Sequence, residues 1–248
     1  MRLAVGAGGI RIGLASMIAE FLRRAFGVSG SKGASFPRTC NVCGYSGRFQ
    51  SAGKPRRIDA RCPKCGSAER YRLLTLWLDR YGAFLREAHV LHFAPEAGLA
   101  ALLKTRVGRY QSADIAPGRA DLVLNIEAIG VADQSHDCIV CSHVLEHVDD
   151  KKALAEIYRA LKPGGVALIM LPVIEGWAKT YENKEVRTPE ERKRHYGQAD
   201  HVRYYGADVR DRIRAAGFQL EEFTAEGEDV LTYALQRGEK LFIARRPP

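Results

Sequence analysis

The sequence predicts an α/β fold built on a largely parallel sheet, preceded by a small cysteine-bearing module. Three observations carry this. Short apolar runs alternate with helical patterns from His89 to the end of the chain, the order expected when crossover helices link parallel strands. The composition is that of a folded chain, 46% hydrophobic and 27% charged over 248 residues, with no apolar run near the roughly 18 residues of a membrane span. Four cysteines stand as two close pairs ahead of the first strand.

Residues 1–35 read as an amphipathic helix and a linker. Ile10, Leu14, Met17, Ile18, Phe21, Leu22, Ala25 and Phe26 recur at helical spacing, with Arg11, Glu20, Arg23 and Arg24 mostly on other faces. Those charges interrupt the apolar stretch, and it does not read as a secretory leader. Two readings of residues 10–26 are open: contact with an anionic membrane surface, or packing on the protein itself. Gly27–Ser35 is Gly/Ser-rich and linker-like.

Residues 36–84 form the second segment. Cys40-Asn-Val-Cys43-Gly and Cys62-Pro-Lys-Cys65-Gly are separated by 18 residues, within the window for a four-thiolate zinc site. Two thiolates two residues apart reach one tetrahedral ion, and the following glycine lets the chain turn around the sulfur. Four thiolates close the coordination shell, so the expected Zn2+ is structural. Without a leader, zinc is favoured over two disulfides. A helix follows from Ala68 to about Tyr81, with Ser67 as its expected cap. Residues 1–80 hold 15 Lys/Arg against four acids, +11, while the rest of the chain sums to −2. The excess charge, with Tyr45, Phe49 and Tyr71 interleaved among Arg38, Arg48, Lys54, Arg56, Arg57, Arg61, Lys64, Arg70 and Arg72, makes residues 36–72 the candidate surface for nucleic acid. The alternative is a small module that needs a charged exterior.

Residues 85–248 supply seven strand candidates: His89–Ala94, Tyr110–Ile115, Leu122–Asn125, Cys138–Ser142, Val166–Pro172, Gln219–Thr224 and Lys240–Arg245. The clearest helix is Lys151–Lys162, apolar at Ala153, Leu154, Ile157, Tyr158 and Leu161 and capped by Asp149 or Asp150. Cys138 and Cys141 lie in an apolar strand and read as core thiols. A polar insert spans 175–206, in which Thr188-Pro189-Glu190-Glu191 carries the signature of a capped helix start.

Several segments together resemble the class I S-adenosylmethionine-dependent methyltransferases, of the type 11 kind, over about residues 85–246. They are Val90-Leu91-His92-Phe93-Ala94-Pro95-Glu96 at the first strand and loop, Asp114 ending the second strand, Asn125-Ile126-Glu127 after the third, His136 to His147 with its Val-Leu-Glu-His continuation, Leu161-Lys162-Pro163-Gly164-Gly165 before the fifth, and Ala216-Gly217-Phe218 near the end. The resemblance implies a Rossmann-like seven-stranded, mostly parallel sheet with helices on both faces, behind a small zinc ribbon. It implies S-adenosylmethionine as cofactor, held by His92, Phe93, Ala94 and Glu96, by Asp114 and Ile115 at the ribose, by Asn125 and Ile126 at the adenine, and by Ser142 and His143 at the methionine end. The family's glycine-rich first loop is mostly replaced here, with Ala94 and Glu96 at expected glycine positions.

The insert is the expected lid. His201 with Asp200, together with His143, are the candidate catalytic residues; His147, Tyr181, His195, Tyr196, Arg203 and Tyr205 are the candidate acceptor contacts. His143-Val-Leu-Glu146-His147 also spells H-x-x-E-H, a zinc-protease pattern, but its first histidine directly follows a strand rather than lying on a helix. The leading expectation is O- or N-methylation of a small molecule or glycan by a cytoplasmic protein, peripheral at a membrane if residues 10–26 contact one. The alternatives are an RNA methyltransferase that uses the basic cysteine module, and a non-catalytic binding protein with a degenerate cofactor loop.

Overall fold

The computed structural model describes residues 37–53 and 55–248. The expected helix over 10–26, its membrane contact and the linker over 27–35 lie outside the described residues, as does Lys54. Two antiparallel pairs come first: β1 (Arg38–Thr39) with β2 (Ser46–Gly47), and β3 (Gln50–Ala52) with β4 (Arg57–Arg61). Cys40–Cys43 forms the turn of the first pair, and Cys62–Cys65 follows β4. Gly44 and Gly66 both hold left-handed backbone, φ +70° and +73°, and close tight turns onto the carbonyls of Cys40 and Cys62, which is the freedom glycine provides.

The remaining elements are α1 (Glu69–Tyr81), β5 (His89–Phe93), α2 (Ala97–Lys104), β6 (Arg109–Asp114), β7 (Leu122–Val123), β8 (His136–Ser142), α3 (Asp150–Ala160), β9 (Leu161–Met170), α4 (Pro189–Tyr196), α5 (Val209–Ala215), β10 (Gln219–Phe223), α6 (Gly227–Thr232) and β11 (Leu241–Arg245). All seven expected strands are present, and they form one sheet in the order β10-β11-β9-β8-β5-β6-β7. The strands β5 to β9 are mutually parallel; β11 runs antiparallel between β9 and β10.

Continuous apolar strands are the mark of a sheet buried on both faces. In β8, Ile139 and Cys141 face one core with Leu154 and Ile157 of α3 and Val209 and Ile213 of α5. Cys138 and Val140 face the other, with Leu73, Leu74 and Trp77 of α1 and Leu99 and Leu103 of α2. Cys138 and Cys141 are wholly buried core thiols, and burial pushes both thiols far above their ordinary range.

Several boundaries shift from the expected ones, and three of the shifts have a specific cause. The α1 cap is Ala68, not Ser67, because the Ser67 hydroxyl lies 3.2 Å from the Cys40 sulfur and 3.3 Å from that of Cys65. The third strand stops at Val123, since the Asn125 side chain turns back to accept from the Glu127 amide at 2.9 Å. The fifth begins at Leu161 because His136 pairs with that residue across a bulge. The expected caps at Asp149 and at Thr188 with Glu191 are both formed.

Candidate functional site

The strand order reverses between β5 and β8: the chain passes from β5 outward to β6 and β7, then returns to β8 on β5's other side. Loops leaving the carboxyl ends of these two strands diverge and open a crevice. On the β5 side, Ala94 holds φ +48°, a left-handed conformation costly for a residue with a Cβ. Its amide donates to the Ala113 carbonyl at 2.8 Å. The loop keeps the turn that glycine ordinarily makes, without the glycine.

Around this crevice, Asp114 ends β6, and its Oδ1 accepts from the Ala116 amide at 2.8 Å. Ile115 beside it is exposed, whereas Phe93 and Ile126 are buried in the core. Ser142 ends β8, almost fully buried, with no hydrogen-bond partner for its Oγ among the described residues. Two of the expected cofactor contacts are committed elsewhere. His92 is fully buried, its Nδ1 lies 2.9 Å from the Tyr110 hydroxyl, and burial holds its pKa down at about 4. Glu96 forms an ion pair with Arg70 of α1, so its carboxylate already has a cation.

A cleft of about 680 Å3 lies on the β8–β9 side. His143 enters it from a left-handed turn (φ +55°), fixed by its amide N–H donating to the Met170 carbonyl at 2.8 Å. The His143 Nδ1 lies 3.1 Å from Oε1 of Glu146, which is only 1% exposed. His147 follows in a single 3-10 turn, Leu145–His147, and lines the cleft with Glu146. The Val202 amide donates to the Glu146 carbonyl at 2.9 Å, which draws the insert against this turn and brings the buried His201 within 4.7 Å, ring centre to ring centre, of His147. Burial lowers the pKa of His201. Gln198 and Glu175 are the insert's other lining residues.

Asp200, the catalytic candidate next to His201, turns to His147: its carboxylate and carbonyl face His147 Nδ1 at 3.4 and 3.3 Å. Five residues expected to touch the acceptor do not line the cleft. Arg203 donates to the carbonyls of Leu145 and Val148 and to Glu182, and the Tyr205 hydroxyl binds the Leu145 carbonyl and Asp150. The buried Tyr196 hydroxyl engages the backbone of Asn183, and Tyr181 pairs with His195 at 2.6 Å. These residues fold the insert and pin it to β8's exit; the polar groups that suggested recognition are spent on backbone and side-chain partners within the chain.

The opposite wall is one that sequence reasoning missed as part of the cleft. Arg57, Glu69 and Arg70 from the cysteine module and α1, and Glu239 and Lys240 ahead of β11, face the histidines. Arg57 binds Glu69 through two bonds of 2.8 and 3.1 Å. Burial raises the Glu239 carboxyl pKa, with Glu69 adding to the effect. Arg57 and Arg70 were visible only as members of a basic run; nothing local marks them as cleft residues. Several other charges in that run are also spent internally, Arg38 on Asp59 and Arg72 on backbone carbonyls, while Phe49 is buried beneath Arg72.

The four cysteine sulfurs cluster behind this wall. Cys40 and Cys65 are 3.6 Å apart and Cys43 and Cys62 3.7 Å, close to the edge of about 3.8 Å for a tetrahedron with metal–sulfur bonds of about 2.3 Å. No disulfide joins any of them. The geometry is that of a metal site.

Residues 70–169 match the methyltransferase domain family. The chain is 35% identical over 130 residues to the ubiquinone/menaquinone biosynthesis C-methyltransferase UbiE of Escherichia coli, covering 47% of this chain and 51% of that enzyme. It is 47% identical over 62 residues to the enzyme of the same name from Klebsiella pneumoniae, 23% of this chain and 25% of that one. The chain thus spans about half or less of the curated relatives it matches. Among solved structures, the YcgJ protein of Bacillus subtilis superposes with a TM-score of 0.50 at 16% identity, over 72% of this chain and 99% of that one. The 4+2 cyclase SpnF gives 0.50 at 16%, over 71% and 81%. These likenesses show the fold.

Proposed function

We propose that this chain is an S-adenosylmethionine-dependent methyltransferase that acts on a small molecule or glycan at oxygen or nitrogen, with Zn2+ held structurally by Cys40, Cys43, Cys62 and Cys65. One arrangement carries the reading: the left-handed turn at Ala94, Asp114 and Ser142 stand at the carboxyl ends of three adjacent parallel strands, β5, β6 and β8, and His143 after β8 enters a histidine-lined cleft. The residues fit the cofactor. Asp114 offers a carboxylate to a ribose diol, Asn125 stands at the adenine position, and Ser142 with His143 lies at the methionine end. S-adenosylmethionine supplies a methyl group already activated on a sulfonium.

The protein's share is then alignment and removal of one proton. Of the two histidines expected to act, His143 has the orienting partner, since Glu146 holds its Nδ1 side. His143 takes the acceptor's proton. The insert covers the cleft and keeps water out, with Arg203 and Tyr205 as its anchors. Because Arg38, Arg57, Arg70 and Arg72 are paired within the chain, a small-molecule or glycan acceptor is favoured over RNA. The naming of both matched relatives as quinone-biosynthesis C-methyltransferases supports a small acceptor.

Calorimetric titration with S-adenosylmethionine and its demethylated product tests this. Saturable binding that Asp114→Ala abolishes is expected. No binding at millimolar cofactor would overturn the enzyme reading and leave a binding protein.

A further inference from the structure

We propose that Glu146, His147 and His201 form a second metal site, separate from the cysteine cluster, which takes a divalent first-row ion on the floor of the cleft. One ligand atom from each of the three lies within 4.8 Å of the other two. Bonds of about 2.0–2.2 Å place two ligands of one tetrahedral ion about 3.3–3.6 Å apart, so the three atoms draw in by up to about 1.5 Å to complete the set.

Independent of this proximity, the site holds polar atoms with nothing to bind. Oε2 of Glu146 and Nδ1 of His201 are buried and have no hydrogen-bond partner among the described residues, in side chains whose residues are 1% and 4% exposed. A buried acceptor without a donor is a cost that folded proteins rarely carry, and a cation relieves both at once. The surroundings also have the form of a metal's outer shell. Glu146 Oε1 is held by His143, and His147 Nδ1 faces the carbonyl of Asp200 at 3.3 Å. This fixes His147 with its Nε2 as the ligating atom, the usual arrangement of a metal-bound imidazole.

The set differs from the zinc-protease pattern that the sequence spells. His143 is not a ligand; it sits in the left-handed turn and bonds Glu146, while the third ligand arrives from the insert. Two imidazoles and one carboxylate leave coordination positions open, and here they open into the cleft. The ion's ligand from solution is an oxygen of the acceptor, a hydroxyl or a vicinal diol. That role, unlike the binding of the ion, rests on the methyl-transfer reading and points it toward O-methylation.

The test uses the full chain with its thiolate site loaded. Mn2+, which prefers oxygen and nitrogen to thiolate, is titrated by calorimetry, and bound metal per chain is counted by elemental analysis. The wild type is expected to take one equivalent of Mn2+ beyond the thiolate-bound ion. Glu146→Gln, His147→Gln and His201→Asn are each expected to weaken it at least ~tenfold, while the thiolate-bound ion is retained. Since Glu146 is buried and its variant can fail to fold, the partly exposed His147 provides the decisive substitution. A wild type that binds no second ion, or a His147→Gln protein that binds it unchanged, overturns the proposal. Cofactor titration of the same samples separates the two readings: uptake of Mn2+ without cofactor binding sinks methyl transfer and spares the metal site, and the reverse result sinks the metal site alone.

Discussion

The guanidinium of Arg72 donates to the carbonyl of Ala234 at 2.7 Å, across 162 positions of sequence. The same side chain donates to the carbonyls of Tyr233, Ser67 and Ala60 at 2.7, 2.6 and 3.2 Å. Ala234 holds φ +50°, which turns two successive carbonyls onto one cation. Arg72 is wholly buried, and that burial depresses its pKa, against the pull of nearby thiols and Glu69. It ties the cysteine module, the start of α1 and the segment before β11 into one body, and so holds Arg57 and Glu239 on the cleft wall.

Arg72→Ala is therefore expected to be severe. It strands at least two buried carbonyls at about 1–3 kcal/mol each, a total near 3–5 kcal/mol. Urea unfolding measures this, and a loss below about 1 kcal/mol would show that water or a rearrangement replaces the bonds. Arg72→Lys reaches fewer of the carbonyls with its single ammonium and is expected to recover less than half of the loss.

Ala94→Gly is expected to act in the opposite direction. Left-handed backbone costs a Cβ-bearing residue about 1–2 kcal/mol, and glycine loses about 0.5–1 kcal/mol of that gain to unfolded-chain entropy. A net stabilisation of about 0.5 kcal/mol follows, measured from the urea midpoint at constant slope. A clear destabilisation would mean that the Ala94 methyl packs on something worth more than the strain.

Stability should fall as pH drops through the histidine range. Burial holds His92 and His136 at about 4, the latter aided by the charges of His89 and Arg109. Both are neutral in the folded chain, while in the unfolded chain they titrate near 6.5. Above about pH 6.5 neither contributes a slope; between 6.5 and 4 the unfolded chain binds more protons and stability is lost. Each histidine accounts for about 3 kcal/mol across that window by linkage. His92→Gln and His136→Asn should each remove about one proton from the slope of stability against pH, and an unchanged slope would refute the assignment.

Stripping metal from the cysteine cluster, or substituting Cys62→Ser, is expected to lower Tm and to make β3 and β4 accessible to protease. The module's own core is small, Cys40, Phe49 and Cys62 with partly buried neighbours, joined by Ala234 from the segment before β11, too little to hold two-stranded pairs alone. Because Arg57 is carried on β4, metal loss should also weaken acceptor affinity more than cofactor affinity. Equal loss of both would place the module's effect on the sheet rather than on the cleft wall.

The seven strands, the α3 helix and the four-cysteine cluster could be read from the chain because their signals are local. An apolar run buried on two faces, a 3.6-residue repeat and a Cys-x-x-Cys pair are each complete within a few residues. The partners of the insert's polar residues are not legible for a related reason. Its His, Asp, Arg and Tyr residues are rich in recognition chemistry, but Arg203, Tyr205 and Tyr196 turn that chemistry on the chain's own carbonyls and amides.

By itself the sequence determined which residues are apolar at which spacing, and with that the order of elements and the two sulfur pairs that meet in one cluster. The tertiary structure decided what each polar side chain faces. Asp200 lies next to His201 in the chain yet turns to His147; Glu96 is paired with Arg70; Glu146 and His201, 55 positions apart, are brought together with unsatisfied atoms. Apolar burial is non-directional and follows from pattern alone, whereas a hydrogen bond or a metal ligand exists only where two groups from distant segments arrive within about 3 Å at the right angle.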